Sequence, residues 1–320
     1  MTPNTQLLHC LLFFSLAFQS HIHIVLSTTF TLTNNCGQTI WPGVLANAGS
    51  TPPASTGFAL VPGGSRSIVA PAPWSGRFWA RTLCTTDSSG RFTCASGDCG
   101  SGAVECSGGG AAPPATLAEF TLAGGDGNTD FYDVSLVDGY NIAMLVEAKG
   151  GSGSESECAA TGCVAELNGA CPGELRVGAG VACKSACEAF GTPQYCCSGE
   201  YGNPSACKPT VYSEFFKQAC PRAYSYAYDD ATSTFTCRSA DTYVITFCPG
   251  SSSTSLRSAG REDSGSGLRP LLNNTMVFLG ERTSSAVASP TAMATTKAVL
   301  LVLADLLVVV VMCSDLTLRF

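Results

Sequence analysis

The sequence predicts an all-β domain held together by disulfide bonds, and three observations lead to this prediction. The 320 residues include 34 Gly and 17 Pro, a content typical of short strands joined by many turns. Several short runs alternate apolar and polar residues with a period of two, as half-buried strands do. The chain also contains 18 cysteines, and a dense, even set of cysteines is typical of a disulfide framework.

The first 27 residues have the layout of a secretory signal peptide. An apolar segment at 7–18 is followed by Ser27, a small residue that suits cleavage before Thr28. Because no Lys or Arg precedes the apolar segment, an uncleaved membrane anchor is the alternative. We therefore expect a secreted, extracellular protein whose mature chain starts at Thr28.

Removal of residues 1–27 leaves a chain without histidine, because the three histidines are His9, His21 and His23. The lack of imidazole excludes Ser-His-Asp and Cys-His nucleophile pairs, and it excludes histidine-rich zinc sites. Carboxylates are then the candidates for a general acid and a general base. The sequence predicts no metal and no cofactor.

Sixteen of the cysteines lie between Cys36 and Cys248, behind the predicted signal peptide. We predict that they form eight disulfides, since secretion and the lack of histidine argue against zinc binding by pairs such as Cys183 and Cys187. Residues 28–249 carry 11 Lys and Arg against 19 Asp and Glu, a net charge of −8. This charge argues against nucleic acid as a partner, and it is compatible with a neutral polysaccharide or a basic protein.

Alternation predicts the strands in the first part of the chain. They are residues 29–35, 66–73, 76–84 and 115–122, with a bend at Trp41-Pro42-Gly43 after the first of them. Residues 84–106 contain four cysteines and almost no apolar side chains. We expect this segment to be a small loop lobe that only its disulfides hold.

Residues 113–146 carry the candidate chemistry. The strand-like runs 131–137 and 140–146 are separated only by Asp138-Gly139, a pair that favours a tight hairpin turn. Five carboxylates lie at 119–138 in a chain that is only 13% charged, and four of them are the candidates: Glu119, Asp130, Asp133 and Asp138. Arg77 is the cation that we place beside them. The alternatives are acids that form turns or face water, and an exposed strand arginine.

Residues 158–207 form a second, disulfide-rich lobe with eight cysteines in 50 residues. Residues 180–190 within it have a helical spacing that places Cys183 and Cys187 on one face. Three further elements complete the domain: a helical turn at 213–220, a strand at the end of 224–237 and a last strand at 241–248.

Three tyrosines alternate before a pair of acids near the end of the domain. They are Tyr224, Tyr226 and Tyr228, followed by Asp229-Asp230. Aromatic rings beside acids suit sugar binding, because the C–H faces of a sugar pack on rings. Ordinary cross-strand tyrosine pairs in a sheet are the alternative.

The character of the chain changes after Pro249. Residues 250–297 are rich in Ser, Thr, Gly and Ala and lack cysteine, as a flexible stalk does, and they contain a glycosylation sequon at Asn273. Residues 298–320 form an apolar tail that, with the small residues starting at Ser284, matches a GPI-attachment signal. A single membrane-spanning helix is the alternative, but the apolar run is short and Asp305 interrupts it.

The chain from about Thr29 to Pro249 resembles the plant thaumatin-like, pathogenesis-related proteins. The stretch GRFTCASGDCGSGAVEC at 90–106 is similar to the family signature, with Ser96 where Thr is usual, and PPATLAEFTL, DFYDVSLVDGYN, CPGELRV, YCCSGEYGNP and DDATSTFTC also fit. The resemblance implies a flattened antiparallel β-sandwich core, a disulfide-rich lobe of loops and helix at 158–207, and a small loop lobe at 84–106.

The resemblance also implies the disulfide pairs and the residues of an acidic cleft. The pairs are Cys36–Cys248, Cys84–Cys94, Cys99–Cys106, Cys158–Cys237, Cys163–Cys220, Cys171–Cys183, Cys187–Cys196 and Cys197–Cys207. The family's cleft is lined by one Arg, one Glu and three Asp, and their counterparts are Arg77, Glu119, Asp133, Asp138 and Asp230. Asp130 has no place in this set.

In family members that hydrolyse β-1,3-glucan, the counterparts of Glu119 and Asp138 are the proposed carboxylate pair. The resemblance therefore implies a monomeric antifungal defence protein whose cleft binds β-1,3-glucan or another fungal-wall polysaccharide, with weak endo-β-1,3-glucanase activity. The alternatives are a glucan- or protein-binding module without turnover and an inhibitor of a foreign hydrolase. A further alternative is a surface protein in which the stalk and the lipid anchor in the plasma membrane matter more than the cleft.

Overall fold

The computed structural model describes residues 27–71, 73–122, 129–151, 157–238 and 240–250. The predicted signal peptide before Ser27, the stalk beyond Gly250 with Asn273 and Ser284, and the apolar tail lie outside these residues. Within the described ranges, no helix is both long enough and apolar enough to cross a membrane.

Strands dominate the described part of the chain, and its helices are short. The strands are β1 Ser27–Asn34, β2 Trp41–Ala46, β3 Ser65–Pro71, β4 Trp74–Thr86, β5 Phe92–Ser96, β6 Leu117–Leu122, β7 Thr129–Ser135, β8 Met144–Lys149, β9 Thr161–Cys163, β10 Arg176–Val177, β11 Ala182–Cys183, β12 Phe235–Arg238 and β13 Thr242–Phe247. The α-helices are α1 Ala186–Phe190, α2 Pro193–Cys196, α3 Val211–Ala219 and α4 Asp230–Ser233. The predicted all-β class is confirmed.

Two sheets form the core of the domain. One has the strand order β3-β1-β13-β8-β9, and the other has the order β12-β7-β6-β4-β2, with β5 paired to β4. The neighbouring strands in both sheets are antiparallel except for β1 and β13, which are parallel. The predicted β-sandwich is therefore confirmed, with one parallel pair between its first and last strands.

Aromatic side chains fill the space between the two sheets. The ring of Phe30 on β1 lies 4.6 Å from that of Phe78 on β4 and 4.7 Å from that of Phe120 on β6. Phe120 also contacts Tyr243 on β13, at 5.1 Å. All four side chains are buried, and burial of each large apolar side chain contributes about 1.5–3 kcal/mol. This packing fixes which face of β4 and β6 points away from the core.

Asp130 belongs to the core and not to the outer face of the sheet. It is 5% exposed, and its Oδ2 accepts a hydrogen bond of 2.9 Å from the Tyr243 hydroxyl. Asp133 lies three residues along β7 and therefore has the opposite parity. The structure thus separates Asp130 from the other acids of this region.

The predicted hairpin across Asp138-Gly139 is wrong, although a turn is present there. Gly139 has φ +84° and donates a backbone hydrogen bond to the Leu136 carbonyl at 2.9 Å. After the turn, Tyr140 pairs with Cys183 of β11, and the chain reaches β8 in the other sheet. Residues 140–144 are all buried, as suits a segment that crosses the core and not a strand with one face in water.

The predicted bend at Trp41-Pro42-Gly43 is also wrong, because these residues begin β2. Since β2 is an edge strand, the missing N–H of Pro42 costs no hydrogen bond inside the sheet. Gly43 is required by close packing, because a Cβ atom at this position would lie 2.5 Å from the Trp79 ring. Pro42 is thus explained by its position on an edge strand, and Gly43 by its close contact with the Trp79 ring.

The disulfide-rich lobe has less helix than the sequence predicts at 180–190. Helix α1 begins only after Ser185, whose side chain accepts a hydrogen bond from the Glu188 backbone N–H and caps the helix. Cys183 lies on β11, so it does not share a helix face with Cys187. The helix predicted at 213–220 is confirmed as α3.

Eight disulfides are present in the described part of the chain, as predicted. The bonded pairs are Cys36–Cys248, Cys84–Cys94, Cys99–Cys106, Cys158–Cys237, Cys163–Cys220, Cys171–Cys183, Cys187–Cys196 and Cys197–Cys207. They are the pairs that the resemblance implies. Cys36–Cys248 joins positions 212 residues apart, next to the ends of β1 and β13.

Hydrogen bonds hold the small loop lobe together with its disulfides, so the expectation that disulfides alone hold it is wrong. Arg81 on β4 is fully buried and donates to the carbonyls of Trp41, Pro42 and Val104 at 3.0, 3.2 and 2.6 Å. Glu105 of the lobe accepts hydrogen bonds from the backbone N–H of Thr56 and of Gly57, and from two hydroxyls of the same segment.

Candidate functional site

Three charged side chains form a row across the outer face of the six-stranded sheet. Arg77 of β4 lies directly opposite Glu119 of β6, and Glu119 lies directly opposite Asp133 of β7. Because Phe78 and Phe120 point into the core, the alternating residues beside them must point outwards. The sheet register therefore places one cation and two carboxyls side by side.

The other two predicted acids complete a cavity of about 390 Å³ above this row. Asp138 comes from the turn that follows β7, and Asp230 begins helix α4. The cavity is lined by Arg77, Leu117, Glu119, Asp133, Ser135, Val137, Asp138, Tyr224, Ala227 and Asp230. The structure thus brings all five charged residues of the predicted cleft into one cavity.

Arg77 and Glu119 form a loose ion pair, with 3.7 Å between Nη1 and Oε1. The two side chains are 33% and 37% exposed, so water screens their attraction. Burial raises the pKa of Glu119; the Arg77 charge opposes this, and the Asp138 charge adds to it. The net effect is a raised pKa, which favours the protonated form of Glu119 relative to an ordinary glutamate.

Asp133 has the most strongly perturbed carboxyl in the cavity. Burial, followed by the charges of Glu119 and Asp230, raises the pKa of Asp133 to about 8. Its buried Oδ2 has no hydrogen-bond partner among the residues that the structure describes. At neutral pH Asp133 is therefore mainly protonated, a state that lets it donate a hydrogen bond into the cavity.

Tyr224 closes one side of the cavity and holds Asp230 in place. Its hydroxyl donates to Asp230 Oδ1 at 2.8 Å and also contacts the Thr234 hydroxyl. A backbone bridge between Ser135 and Tyr224 fixes this segment against the end of β7. Of the three alternating tyrosines that precede Asp229-Asp230, Tyr224 lines this cavity.

Lys217 stabilises the segment that carries Asp229 and Asp230, and no sequence pattern predicts this role. Its Nζ lies 2.8 Å from Asp229 Oδ2 and donates to the Ser233 hydroxyl at 2.8 Å and to the Ala223 carbonyl at 3.1 Å. Asp229 in turn accepts hydrogen bonds from the Ser225 backbone and hydroxyl, both at 3.0 Å. These contacts join residues of α3 to the following loop, which periodicity does not predict.

The cavity combines groups that donate and groups that accept hydrogen bonds. Asp138 forms no hydrogen bond or ion pair with the side chains that the structure describes, so its carboxylate oxygens are available to a ligand. The protonated Asp133 carboxyl supplies a donor beside it, and Arg77 supplies further N–H groups. Over the described ranges, no cluster of three or more His, Cys, Asp or Glu has the arrangement of a metal site. The arrangement suits a ligand with many hydroxyl groups.

Comparisons with known proteins show which family and which proteins this chain is similar to. The model of the Thaumatin family matches residues 34–249. Thaumatin-like protein 1 of Arabidopsis thaliana is 63% identical over 242 residues, which cover 73% of this chain and 92% of that protein. Pathogenesis-related protein 5 of the same plant is 58% identical over 228 residues, covering 70% and 92%. Among solved structures, a thaumatin-like xylanase inhibitor is 23% identical and covers 69% of this chain and 99% of its own, with a TM-score of 0.37.

Proposed function

The chain belongs to the thaumatin family, and from this premise we propose that it is an antifungal defence protein that binds β-1,3-glucan in its acidic cavity. Membership of a family that includes pathogenesis-related protein 5 supports a role in plant defence. The family and the eight disulfides fit a secreted, extracellular protein.

One observation carries the proposal for glucan. The carboxyls of Glu119, Asp133 and Asp138 share one cavity and accept no hydrogen bond from the residues that the structure describes. Among these groups Asp133 Oδ2 is buried, and because buried polar atoms usually have hydrogen-bond partners, a partner from a ligand is expected there. Glucan hydroxyls supply both donors and acceptors, and glucan has no charge that the acidic walls would repel.

Weak hydrolysis of the bound glucan is the second candidate function, and the raised pKa of Glu119 favours it. Glycoside cleavage needs one protonated carboxyl that donates to the leaving oxygen and one carboxylate that activates water or attacks the sugar. Burial and the Asp138 charge raise the pKa of Glu119, so Glu119 is the proton donor in this proposal. Asp138 then acts as the base or nucleophile on the opposite side of the glycosidic bond.

Sedimentation with insoluble β-1,3-glucan tests binding, and release of reducing sugar tests hydrolysis. We expect the full chain, secreted from plant cells, to sediment with the glucan. Glu119→Gln and Asp138→Asn should lower sugar release at least about 100-fold, as loss of a general acid or base does. Glu105→Gln is the matched control, because it makes the same chemical change outside the cavity and should keep wild-type binding.

Two results separate the candidates. Sedimentation without sugar release means that the cavity recognises glucan and does not cleave it. If the wild-type protein neither sediments with glucan nor releases sugar, the proposal of a glucan-directed cavity is wrong.

We also propose that residues 1–27 direct secretion and that the stalk, which starts at residue 250, leads to a GPI anchor at Ser284. The order of small residues, spacer and apolar tail supports this proposal. A phosphatidylinositol-specific phospholipase should release the protein from plant cell membranes. Resistance to the enzyme in a protein that still reaches the membrane would instead favour a spanning helix.

A further inference from the structure

A second cavity of about 260 Å³ lies beside the acidic cavity, against the disulfide-rich lobe. Val137, Asp138 and Ala227 line both cavities, so the two adjoin along these residues. We infer that the binding site continues past Asp138 into the second cavity, which takes the neighbouring sugar units of the same glucan chain. This inference rests on the proposed glucan binding and adds the length and direction of the site.

The lining of the second cavity combines apolar rings with polar groups. Tyr195 and Tyr226 are half-buried in its walls, and Phe216 is fully buried behind them. A sugar unit presents C–H faces that pack on aromatic rings and hydroxyls that form hydrogen bonds at its edge. Binding pockets for such ligands are lined in this way, with a few polar groups among apolar ones.

Several polar groups in these walls are available to a ligand. Among the described residues, the hydroxyls of Tyr195 and Tyr226 and the side-chain amide of Gln194 form no hydrogen bond. The Tyr224 hydroxyl, by contrast, is already bonded to Asp230. The second cavity therefore offers both donors and acceptors that no described protein group uses.

The walls are held in place before a ligand arrives. The disulfides Cys187–Cys196 and Cys197–Cys207 tie α1, α2 and the following loop together. On the opposite side, Asp229 fixes Ser225 through two hydrogen bonds of 3.0 Å, next to Tyr226. A preformed site loses less conformational entropy on binding than a mobile one does.

The charge of the lining argues for an uncharged chain as the occupant. Asp138, Glu188 and Lys208 are the charged residues in the wall, and the Lys208 ammonium donates to the Pro204 carbonyl at 3.1 Å. One cation and two acids do not attract an anionic polymer. A linear, neutral β-linked glucan that already occupies the acidic cavity meets no repulsion when it extends over Asp138.

Titration calorimetry with β-1,3-linked glucose oligomers of increasing length tests the inference on the full chain. We expect the affinity to rise with length until both cavities are filled. Tyr226→Ala and Gln194→Ala should both remove this rise while short oligomers bind as to the wild type. Tyr226→Ala should weaken long oligomers about tenfold, the scale of a lost aromatic contact. Tyr226→Phe, which keeps the ring, should retain most of the rise.

Tyr228→Ala is the matched control, because Tyr228 lies two residues further along and lines neither cavity. The inference is wrong if the rise persists in both Tyr226→Ala and Gln194→Ala, if Tyr228→Ala removes it equally, or if the wild type shows no dependence on length. In each of these cases short oligomers still bind, so the proposal that the acidic cavity binds glucan is not contradicted. If no oligomer binds to the wild type, the proposed function fails and the inference fails with it.

Discussion

Two arginines of β4 lie four residues apart on the same side of the strand and have opposite surroundings. Arg81 is fully buried, and carbonyl oxygens of β2 and of the loop lobe surround its guanidinium. Arg77 is one-third exposed, pairs loosely with Glu119, and has a buried Nε without a hydrogen-bond partner among the described residues. The first arginine is fully bonded by the protein, whereas the second keeps bonding capacity for a ligand.

The acids beside the two arginines differ in the same way. Burial acts to raise the pKa of Glu105, but hydrogen bonds from Thr56, Ser55 and Gly57 outweigh it and lower the pKa. Glu119 and Asp133 lack such donors, and burial raises the pKa of both. In this protein, charged groups with a full set of hydrogen bonds build the scaffold, while incompletely bonded charged groups mark the site.

Replacement of the two arginines should give the largest contrast. Arg81→Met leaves buried carbonyls without a donor and should lower the free energy of unfolding by about 3–5 kcal/mol. Arg77→Met removes an ion pair whose side chains are about one-third exposed, so this variant should change the free energy of unfolding by less than about 1 kcal/mol. The same variant should weaken glucan binding. Denaturant unfolding of both variants measures the difference, and equal losses in the two would contradict the comparison.

Asp133→Asn should increase stability at neutral pH. The folded protein holds the Asp133 proton up to about pH 8, whereas the unfolded chain releases it near the ordinary aspartate value of about 4. Stability therefore falls as the pH rises through this window, because the unfolded state binds fewer protons. After allowance for solvent screening, the Asn variant should gain about 1–2 kcal/mol at pH 7.

Thermal unfolding of the wild type and of Asp133→Asn from pH 3 to pH 8 measures this gain. The two midpoints should coincide near pH 3 and diverge as the pH rises. A variant that is less stable than the wild type at pH 7 would mean that Asp133 is a bonded part of the scaffold.

Glu105→Gln should have a smaller effect of the opposite sign. Loss of charge-assisted hydrogen bonds should lower the free energy of unfolding by about 1 kcal/mol at pH 7. Because the folded pKa of Glu105 is lowered, its contribution is present above the unfolded value and disappears as the pH falls through the folded value. The same thermal series should show the variant converging with the wild type in acid, and a constant difference at all pH values would argue against this origin.

The sequence predicts the cleft residues better than it predicts their roles. Alternation places Glu119 in the middle of a strand, and the family resemblance adds Asp230 from a distant part of the chain. Alternation cannot distinguish Arg77 from Arg81, because both have the same parity on β4. The difference arises from the loop lobe, whose Val104 carbonyl accepts from Arg81, and a contact across 23 residues has no periodic signal.

The hairpin prediction failed for a related reason. Asp138-Gly139 correctly indicates a turn, but the residues of a turn do not specify which strand the next segment joins. Tyr140 pairs with Cys183, which belongs to the disulfide-rich lobe. Which of the two sheets a segment joins depends on long-range packing, so the sequence pattern does not predict it.

The Cys36–Cys248 disulfide has a consequence for resistance to proteolysis. It joins the two ends of the domain across 212 residues and encloses the other seven bridges in its loop. Any single backbone cleavage between these two cysteines therefore leaves both fragments covalently attached, with β1 and β13 still side by side. Between Cys36 and Cys248, a protease must therefore cut at least twice before a piece of the chain can be released.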